Sequence, residues 1–459
     1  FRSLGVWYDL VYLETYGASY PRRLLAEEGA LSFVGRGEVL QVEGLDSLPT
    51  AVYRQDLDGL TRLTGFETIP AGAGFTVRLP GTELGATYHL ATESALRVPG
   101  MRAGRSAPEI GRGRAEYLII SHPAFLDAVR PLLLLRQEDG YSVQLVDVED
   151  VYSEFGHGIF GADALRAYIE HAASRMGTEM VLLVGGDTYD YHDYLGTGSV
   201  SFLPSPYVAT SEWVSYAPAD ASYADVDADG VPDIAIGRLP ARTVSDAVAM
   251  VDKILDYETR SYPRTGVFAA DTYDQDASQS FTAIADSYIR DLPAGWNAQR
   301  AYLDRMSVDQ ARSRLVAGIN AGVALTVFVG HSGPASWTFL DLFDATDAAN
   351  LTNIGRPTVV TQYGCWNTYY ASPVYQHLAP ALMAGDTGAA AVLGATALTD
   401  DANENLFGSV LMPRLVEPGM TMGEAILTSK QDLGAKAPEA IDILLGWNLL
   451  GDPGLVLER

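Results

Sequence analysis

Cys365 is the only cysteine in 459 residues, and it stands in TVVTQYGCWNTYY (358–370), after a β-branched run and a glycine. A buried structural cysteine usually sits inside an apolar run, whereas this one stands where such a run stops. His331 has the same setting in ALTVFVGHSG, again behind a glycine at the end of an apolar run. A thiol and an imidazole facing one crevice are the minimum set for nucleophilic acyl transfer. The imidazole generates or holds the thiolate and later protonates the leaving amine. Taken singly, each has a bland alternative, a small core cysteine and a solvated histidine; the shared setting is what argues for a dyad.

For the two groups to meet, their runs must be neighbouring strands of one sheet, because the carboxyl ends of parallel strands open onto the same edge. From Ala115 onward the chain supplies such strands: YLIIS, SVQLVDV, MVLLVGG, DIAIG, GVFAAD, AQRAYL, VALTVFVGH, PTVVTQYGC and AAAVLGAT. They alternate with amphipathic stretches such as GADALRAYIEHAASRMG, SDAVAMVDKILDYETR and VDQARSRLVAGINAG. Continuous apolar strands between helices of that length predict an α/β domain over 111–459, a mostly parallel sheet flanked by helices. The first stretch reads differently. VWYDLVYLETYG, ALSFVG, EVLQVEGL, FTVRLPG and ATYHLATESALRV alternate with period two between turn residues, which predicts an antiparallel β-sandwich over 1–110. Between the domains, a linker at about 99–114 carries Arg102, Arg105, Arg112 and Arg114 among Gly, Ala, Ser and Pro.

Composition narrows the function. With 47% hydrophobic and 19% charged residues the chain is globular, and its length calls for more than one core. No apolar run reaches the roughly 18 residues of a membrane span. A net charge of −27 repels phosphate backbones and anionic membranes, so nucleic acid is excluded as a partner class. One cysteine cannot form an internal disulfide, and neither G-x-x-x-x-G-K-[ST] nor G-x-G-x-x-G follows a strand, so no organic cofactor is expected. Acidity with 25 Tyr and 45 Gly leans towards an exported protein, and Phe1 in place of Met towards a processed form.

The segments LLVGGDTYDY, YADVDADGVPDIAIGRLPAR, VFVGHSGPASW, TQYGCWN and NLLGDPGL together resemble the gingipain-type cysteine peptidases of the caspase-hemoglobinase fold group. The resemblance covers about 115–457. WYDLVYLETYGASYPRRLLAEEGALSF is also similar to the β-rich region that precedes the catalytic domain in bacterial members. It implies a caspase-like fold, Cys365 as nucleophile, His331 as general acid and base, and an oxyanion site at the amides of Cys365 and of Ser332 or Gly333. The family usually reads His-Gly, whereas this chain reads His331-Ser332-Gly333, which leaves the second amide open. Relatives place a carboxylate near the histidine in a segment matching VPDIAIGR, which implies Asp233 as the orienting residue.

Asp233 also closes a second pattern, since Asp225, Asp227, Asp229 and Asp233 with Gly230 form D-x-D-x-D-G-x-x-D. Such carboxylates crowd unfavourably without a cation, so calcium held by Asp225, Asp227 and Asp229 is expected. Ile236 replaces the bidentate Glu of a full EF-hand loop. Trp337 and Trp366 are candidate walls of a substrate pocket. Asp246, Asp187, Asp400 or Asp401 are candidates for the carboxylate that a pocket for Arg or Lys requires.

The leading expectation is a secreted or cell-surface cysteine endopeptidase acting on peptides or proteins. Cleavage after Arg or Lys is expected, with activation by clipping of the arginine-rich linker and the β-domain as a pro-segment. The alternatives are a sortase-like transpeptidase of bacterial export and an inactive surface or adhesion module on the same fold. The oligomeric state stays open.

Overall fold

A computed structural model describes residues 17, 22–57, 59–82, 84–100, 109–260, 262–374 and 377–458. The expected strand VWYDLVYLETYG, most of the β-rich family segment, and Arg102 and Arg105 lie outside these residues. The chain divides into two compact units, 1–103 and 104–459.

The first unit holds β1 (Ala30–Gly35), β2 (Val39–Leu45), β3 (Pro49–Asp56), β4 (Gly59–Arg62), β5 (Glu67–Ala71), β6 (Gly74–Pro80) and β7 (Ala86–Thr92). They make two antiparallel sheets, ordered β1-β7-β3-β4 and β2-β6-β5. Alternation decides the packing: every second residue of β7 is buried, and Tyr88 and Leu90 share one core with Val42, Leu45 and Val77 of the other sheet.

In the second unit the strands are β8 (Tyr117–Ser121), β9 (Val143–Asp147), β10 (Met180–Val184), β11 (Tyr207–Val208), β12 (Ala217–Pro218), β13 (Ala235–Leu239) and β14 (Thr265–Ala270). They continue as β15 (Asn297–Tyr302), β16 (Leu325–Val329), β17 (Ser336–Trp337), β18 (Phe343–Asp344), β19 (Thr358–Tyr363), β20 (Ala389–Ala395) and β21 (Trp447–Leu450). Ten of them form one sheet in the order β15-β14-β16-β19-β20-β21-β13-β10-β8-β9. Each half is parallel within itself, but β21 pairs antiparallel with β20, so the halves run in opposite directions. Both faces are covered, and β8, β10, β16, β19 and β20 are buried along their whole length. This is the mixed, mostly parallel α/β architecture expected from the sequence, with the reversal at β20/β21 as the feature that strand periodicity does not reveal.

The far end of the sheet is tied by a buried ion network. Arg136, fully buried on the helix Leu126–Glu138, donates to Glu258 (3.0 and 3.1 Å) and through Nε to Asp452 (2.9 Å). The Tyr117 hydroxyl bonds the other Asp452 oxygen. A Cβ at Gly454 would stand 2.7 Å from Arg136 Nε, so the Gly-Asp-Pro-Gly segment is shaped to receive the guanidinium. NLLGDPGL is therefore structural here. Arg136→Met would take the guanidinium from two buried carboxylates, Glu258 and Asp452, and is expected to cost about 3–5 kcal/mol. A urea midpoint that stays near wild type would contradict this.

Candidate functional site

Four adjacent strands bring one chemical group each to a common edge. In the order β14-β16-β19-β20, their carboxyl ends lead to Asp274, His331, Cys365 and Thr399. The register pairs Val329 with Tyr363, and the Gly330 amide donates to the Tyr363 carbonyl at 2.9 Å, so His331 and Cys365 leave the sheet at the same level. Both preceding glycines are needed for this approach. A Cβ on Gly364 would stand 2.2 Å from the Gly330 carbonyl oxygen, and Gly330, at φ 153°, would drive one to 2.4 Å from the Asp271 Cβ.

His331 Nε2 lies 2.8 Å from Asp274 Oδ2. The carboxylate accepts only, so Nε2 carries the proton and Nδ1 keeps its lone pair free for acid–base work. Backbone amides of Ala277 and the bond to His331 hold the Asp274 carboxyl below its ordinary range. Two phenyl rings contact the imidazole, Phe281 edge-on and Phe339 stacked, each 5.2 Å between centroids.

Cys365 is partly buried, and burial pushes its thiol above its ordinary value. Thr399 is its polar neighbour: its amide donates to Sγ at 3.5 Å, and its hydroxyl lies 3.5 Å away. Behind both stands Glu404 on the helix Asp401–Leu415. It is buried, and its Oε1 accepts from the Thr399 hydroxyl (2.7 Å) and the Gly364 amide (3.1 Å). Burial pushes this carboxyl up to about 8 from 4.5, against the Thr399 bond.

The loop after the thiol is fixed by a buried polar network. Asn367 Nδ2 donates to the carbonyls of Gly364 (2.7 Å) and Gln362 (3.1 Å), while Gln362 accepts from Trp337 Nε1 (2.7 Å). Ser332 Oγ donates to the Cys365 carbonyl at 2.9 Å. Trp366 adopts φ 54°, a conformation that costs a non-glycine residue about 1–3 kcal/mol, immediately after the thiol. Further along, Tyr370 lies under the guanidinium of Arg238, 5.4 Å from its ring centroid. Arg238 itself is buried and held bidentate by Asp220 (2.6 and 2.7 Å), which explains the arginine of IAIGR.

A scan against protein families matches peptidase family C25 over residues 111–458. The chain belongs to this family, the gingipain family. It is a cysteine endopeptidase, and its substrate class is protein. No curated protein gives a significant match. Among solved structures, the C25 peptidase is similar to the complex of RgpB pro- and mature domains from Porphyromonas gingivalis. That match has 18% identity, covers 74% of this chain and 79% of that one, and gives a TM-score of 0.61. It is also similar to the Arg-specific cysteine proteinase gingipain R, with 17% identity, 77% and 80% coverage and a TM-score of 0.60. Both likenesses extend the agreement to the fold.

Several expectations about individual residues require correction. Asp233 does not meet His331; its Oδ2 accepts from the Val226 amide at 2.7 Å. It precedes β13, four strands from β16, or about 19 Å at ~4.8 Å per strand. Asp274, one strand away, occupies the expected position instead. A run of carboxylates after GVFAA, Asp271, Asp274 and Asp276, was the available signal. Trp337 is not a pocket wall, since it is fully buried and stacked on Phe328 at 4.6 Å. Asp246 closes the capping box of the helix Val244–Thr259 with Thr243, beyond the carboxyl end of a strand that runs opposite to β19. Of the two candidate oxyanion amides near the histidine, that of Gly333 already donates to the Ser336 carbonyl at 3.0 Å. Ser332 faces Trp337 as a bridge pair whose flanking residues carry the hydrogen bonds, so its own amide lies off that ladder. Trp366 stays beside the thiol, half-buried against Val214, Ala217 and Ala397. Asp225, Asp227 and Asp229 converge, with carboxylate oxygens within 4.8 Å of one another. Thr399 and Glu404 carry no sequence signal as parts of the site, since the loop end and first helical turn that hold them read only as acidic.

Two outcomes follow from the titrating groups. A raised thiol carries less thiolate at pH 7 than free cysteine, so Cys365 in the resting chain should react with iodoacetamide more slowly. Its alkylation midpoint should lie above that of free cysteine; a lower midpoint would contradict the burial argument. Glu404 binds more protons folded than unfolded between pH ~4.5 and ~8. Stability should therefore fall as pH rises through that window, and Glu404→Gln should flatten the fall. Parallel Tm–pH curves for the two proteins would show that this carboxyl is not the cause.

Proposed function

We propose that this C25 peptidase hydrolyses peptide bonds with Cys365 as nucleophile, His331 as general base and acid, and Asp274 as the residue that orients the imidazole. The observation that carries this reading is the pairing of β16 with β19, whose ends lead to the sole thiol and to an imidazole bonded to Asp274. Nδ1 of His331 takes the thiol proton as Sγ attacks the substrate carbonyl carbon. The oxyanion accepts from the amides of Cys365 and Ser332. As the tetrahedral adduct collapses, the imidazolium hands its proton to the departing amine, leaving a thioester. Water then repeats the sequence: Nδ1 removes its proton, the oxygen attacks the thioester, and the acid leaves as the thiol is reprotonated. A buried, raised thiol fits removal of its proton by a general base during attack better than a stored thiolate.

Preference for Arg or Lys is part of the proposal. Asp401 opens the helix behind the thiol, is half-buried, and its carboxyl is raised by that burial and lowered by His331, which puts it within electrostatic reach of the imidazole. The linker supports activation by cleavage, since the side chains of Arg112 and Arg114 are 76% and 74% exposed. Secretion or cell-surface location accords with the family and with the net charge of −27.

Calcium belongs to the proposal as a structural ion. Oxygens within 4.8 Å of each other suit one ion that binds oxygen at 2.3–2.6 Å. Asp225, Asp227 and Asp229 would hold it, and it would neutralise their mutual repulsion.

Turnover of fluorogenic Arg and Lys peptides checks the catalytic assignments. Cys365→Ala should abolish it, His331→Ala should lower kcat/KM by about 10²–10⁴-fold, and Asp274→Ala should lower kcat and alter the pH profile. Near wild-type turnover in folded His331→Ala would sink the dyad. Persistence of linker processing in Cys365→Ala would remove self-cleavage. Calcium should raise the Tm of wild type but not of Asp227→Asn.

A further inference from the structure

The hairpin that follows His331 is built unlike an ordinary surface turn. Its strands β17 and β18 bury Trp337 and Phe343 completely, and the tip residues Thr338 and Leu342 are buried as well. Between them, Phe339 and Leu340 are 75% and 53% exposed. The tip is held rigidly: the Thr338 amide donates to the His331 carbonyl at 2.7 Å, the Thr338 hydroxyl accepts from the Leu340 amide at 3.1 Å, and Ser336 Oγ donates to Asp341 at 2.9 Å. Thr338 and Asp341 stand at φ 63° and 51°, unfavourable for a β-branched residue above all. A strained, anchored backbone thus holds two apolar side chains in solvent. Single exposed apolar residues are commonplace. What separates this pair is that the Phe339 ring stacks on the imidazole, 5.2 Å between centroids and 28° between planes.

We propose that Phe339 and Leu340 form an apolar subsite for the substrate residues that follow the scissile bond, accepting an aliphatic or aromatic side chain. The inference rests on the peptidase reading above. In that reading His331 must give its proton to the departing amine nitrogen, so the chain beyond the scissile bond leaves past the imidazole. Of the two phenyl rings beside the imidazole, Phe281 is buried and Phe339 faces the solvent. A preformed apolar wall there binds the leaving segment without first ordering a loop. It also orients that segment so that its nitrogen meets Nδ1.

The experiment compares internally quenched peptides that share one acyl part and carry Gly, Leu, Phe or Asp directly after the scissile bond. A methyl ester of the same acyl part, whose leaving group is methanol, serves as reference. Wild type should favour Leu and Phe over Gly and Asp by about tenfold or more in kcat/KM. In Phe339→Ala that preference should collapse towards one, and the ratio of Leu-peptide to methyl-ester turnover should fall by a similar factor. Phe339→Leu should retain most of it. A preference unchanged in Phe339→Ala, or equal losses on peptides and ester, would overturn the subsite while leaving the catalytic dyad standing. Absence of turnover in wild type on every substrate, ester included, would bring down both.

Discussion

Everything at the site depends on how closely two strands approach beyond their last paired residues. β16 and β19 end in Gly330-His331 and Gly364-Cys365, and the backbone of one glycine packs where a Cβ of the other would have to be. This contact does what neither side chain can do alone, since a thiol and an imidazole on separate loops would each wander by more than catalysis tolerates. Sheet hydrogen bonds fix the level at which both emerge. The interior strands β16, β19 and β20 are buried over their full length, so the edge that carries Cys365 and His331 rests on fully packed strands.

Around that contact, several buried polar side chains are fixed by specific partners. Gln362, Asn367 and Trp337 Nε1 lock the loop behind the thiol in one conformation. Glu404 caps the Gly364 amide and the Thr399 hydroxyl. A carboxyl in such a place stays protonated in part at neutral pH, which avoids a full negative charge beside the Cys365 sulfur. The left-handed residues Trp366 and Thr338 flank the site on both strands' exits. Strain of this kind persists only where surrounding packing imposes it, and here it sets the chain directly after Cys365 and at the hairpin beside His331.

The reversal of strand direction at β20/β21 organises the rest. It makes one continuous sheet from two parallel halves, so the Asp225–Asp233 loop and the Cys–His edge belong to different halves of the molecule. The acidic loop, the Arg238–Asp220 pair and the Arg136 network all lie in the half without the thiol. Their placement accounts for motifs that mark the family and yet touch no reacting atom: IAIGR and GDPG are fixed by buried guanidinium groups. Asp187 of VGGD likewise accepts from Ser201, Ser205 and Tyr207 to shape its own loop.

The sequence by itself determined most strands of the large sheet, that they alternate with helices, and that Cys365 and His331 each follow the end of one. These follow from local periodicity and from glycine at a strand end, which depend on near neighbours only. Tertiary structure alone decided the partner of the histidine. Asp274 and Asp233 are equally plausible as letters, but β14 lies next to β16 while β13 lies four strands away. Strand order is a long-range outcome with no local signature, and so is the direction of β21. The same holds for the indoles, because Trp337 and Trp366 read alike until packing buries one against Phe328 and leaves the other beside the thiol.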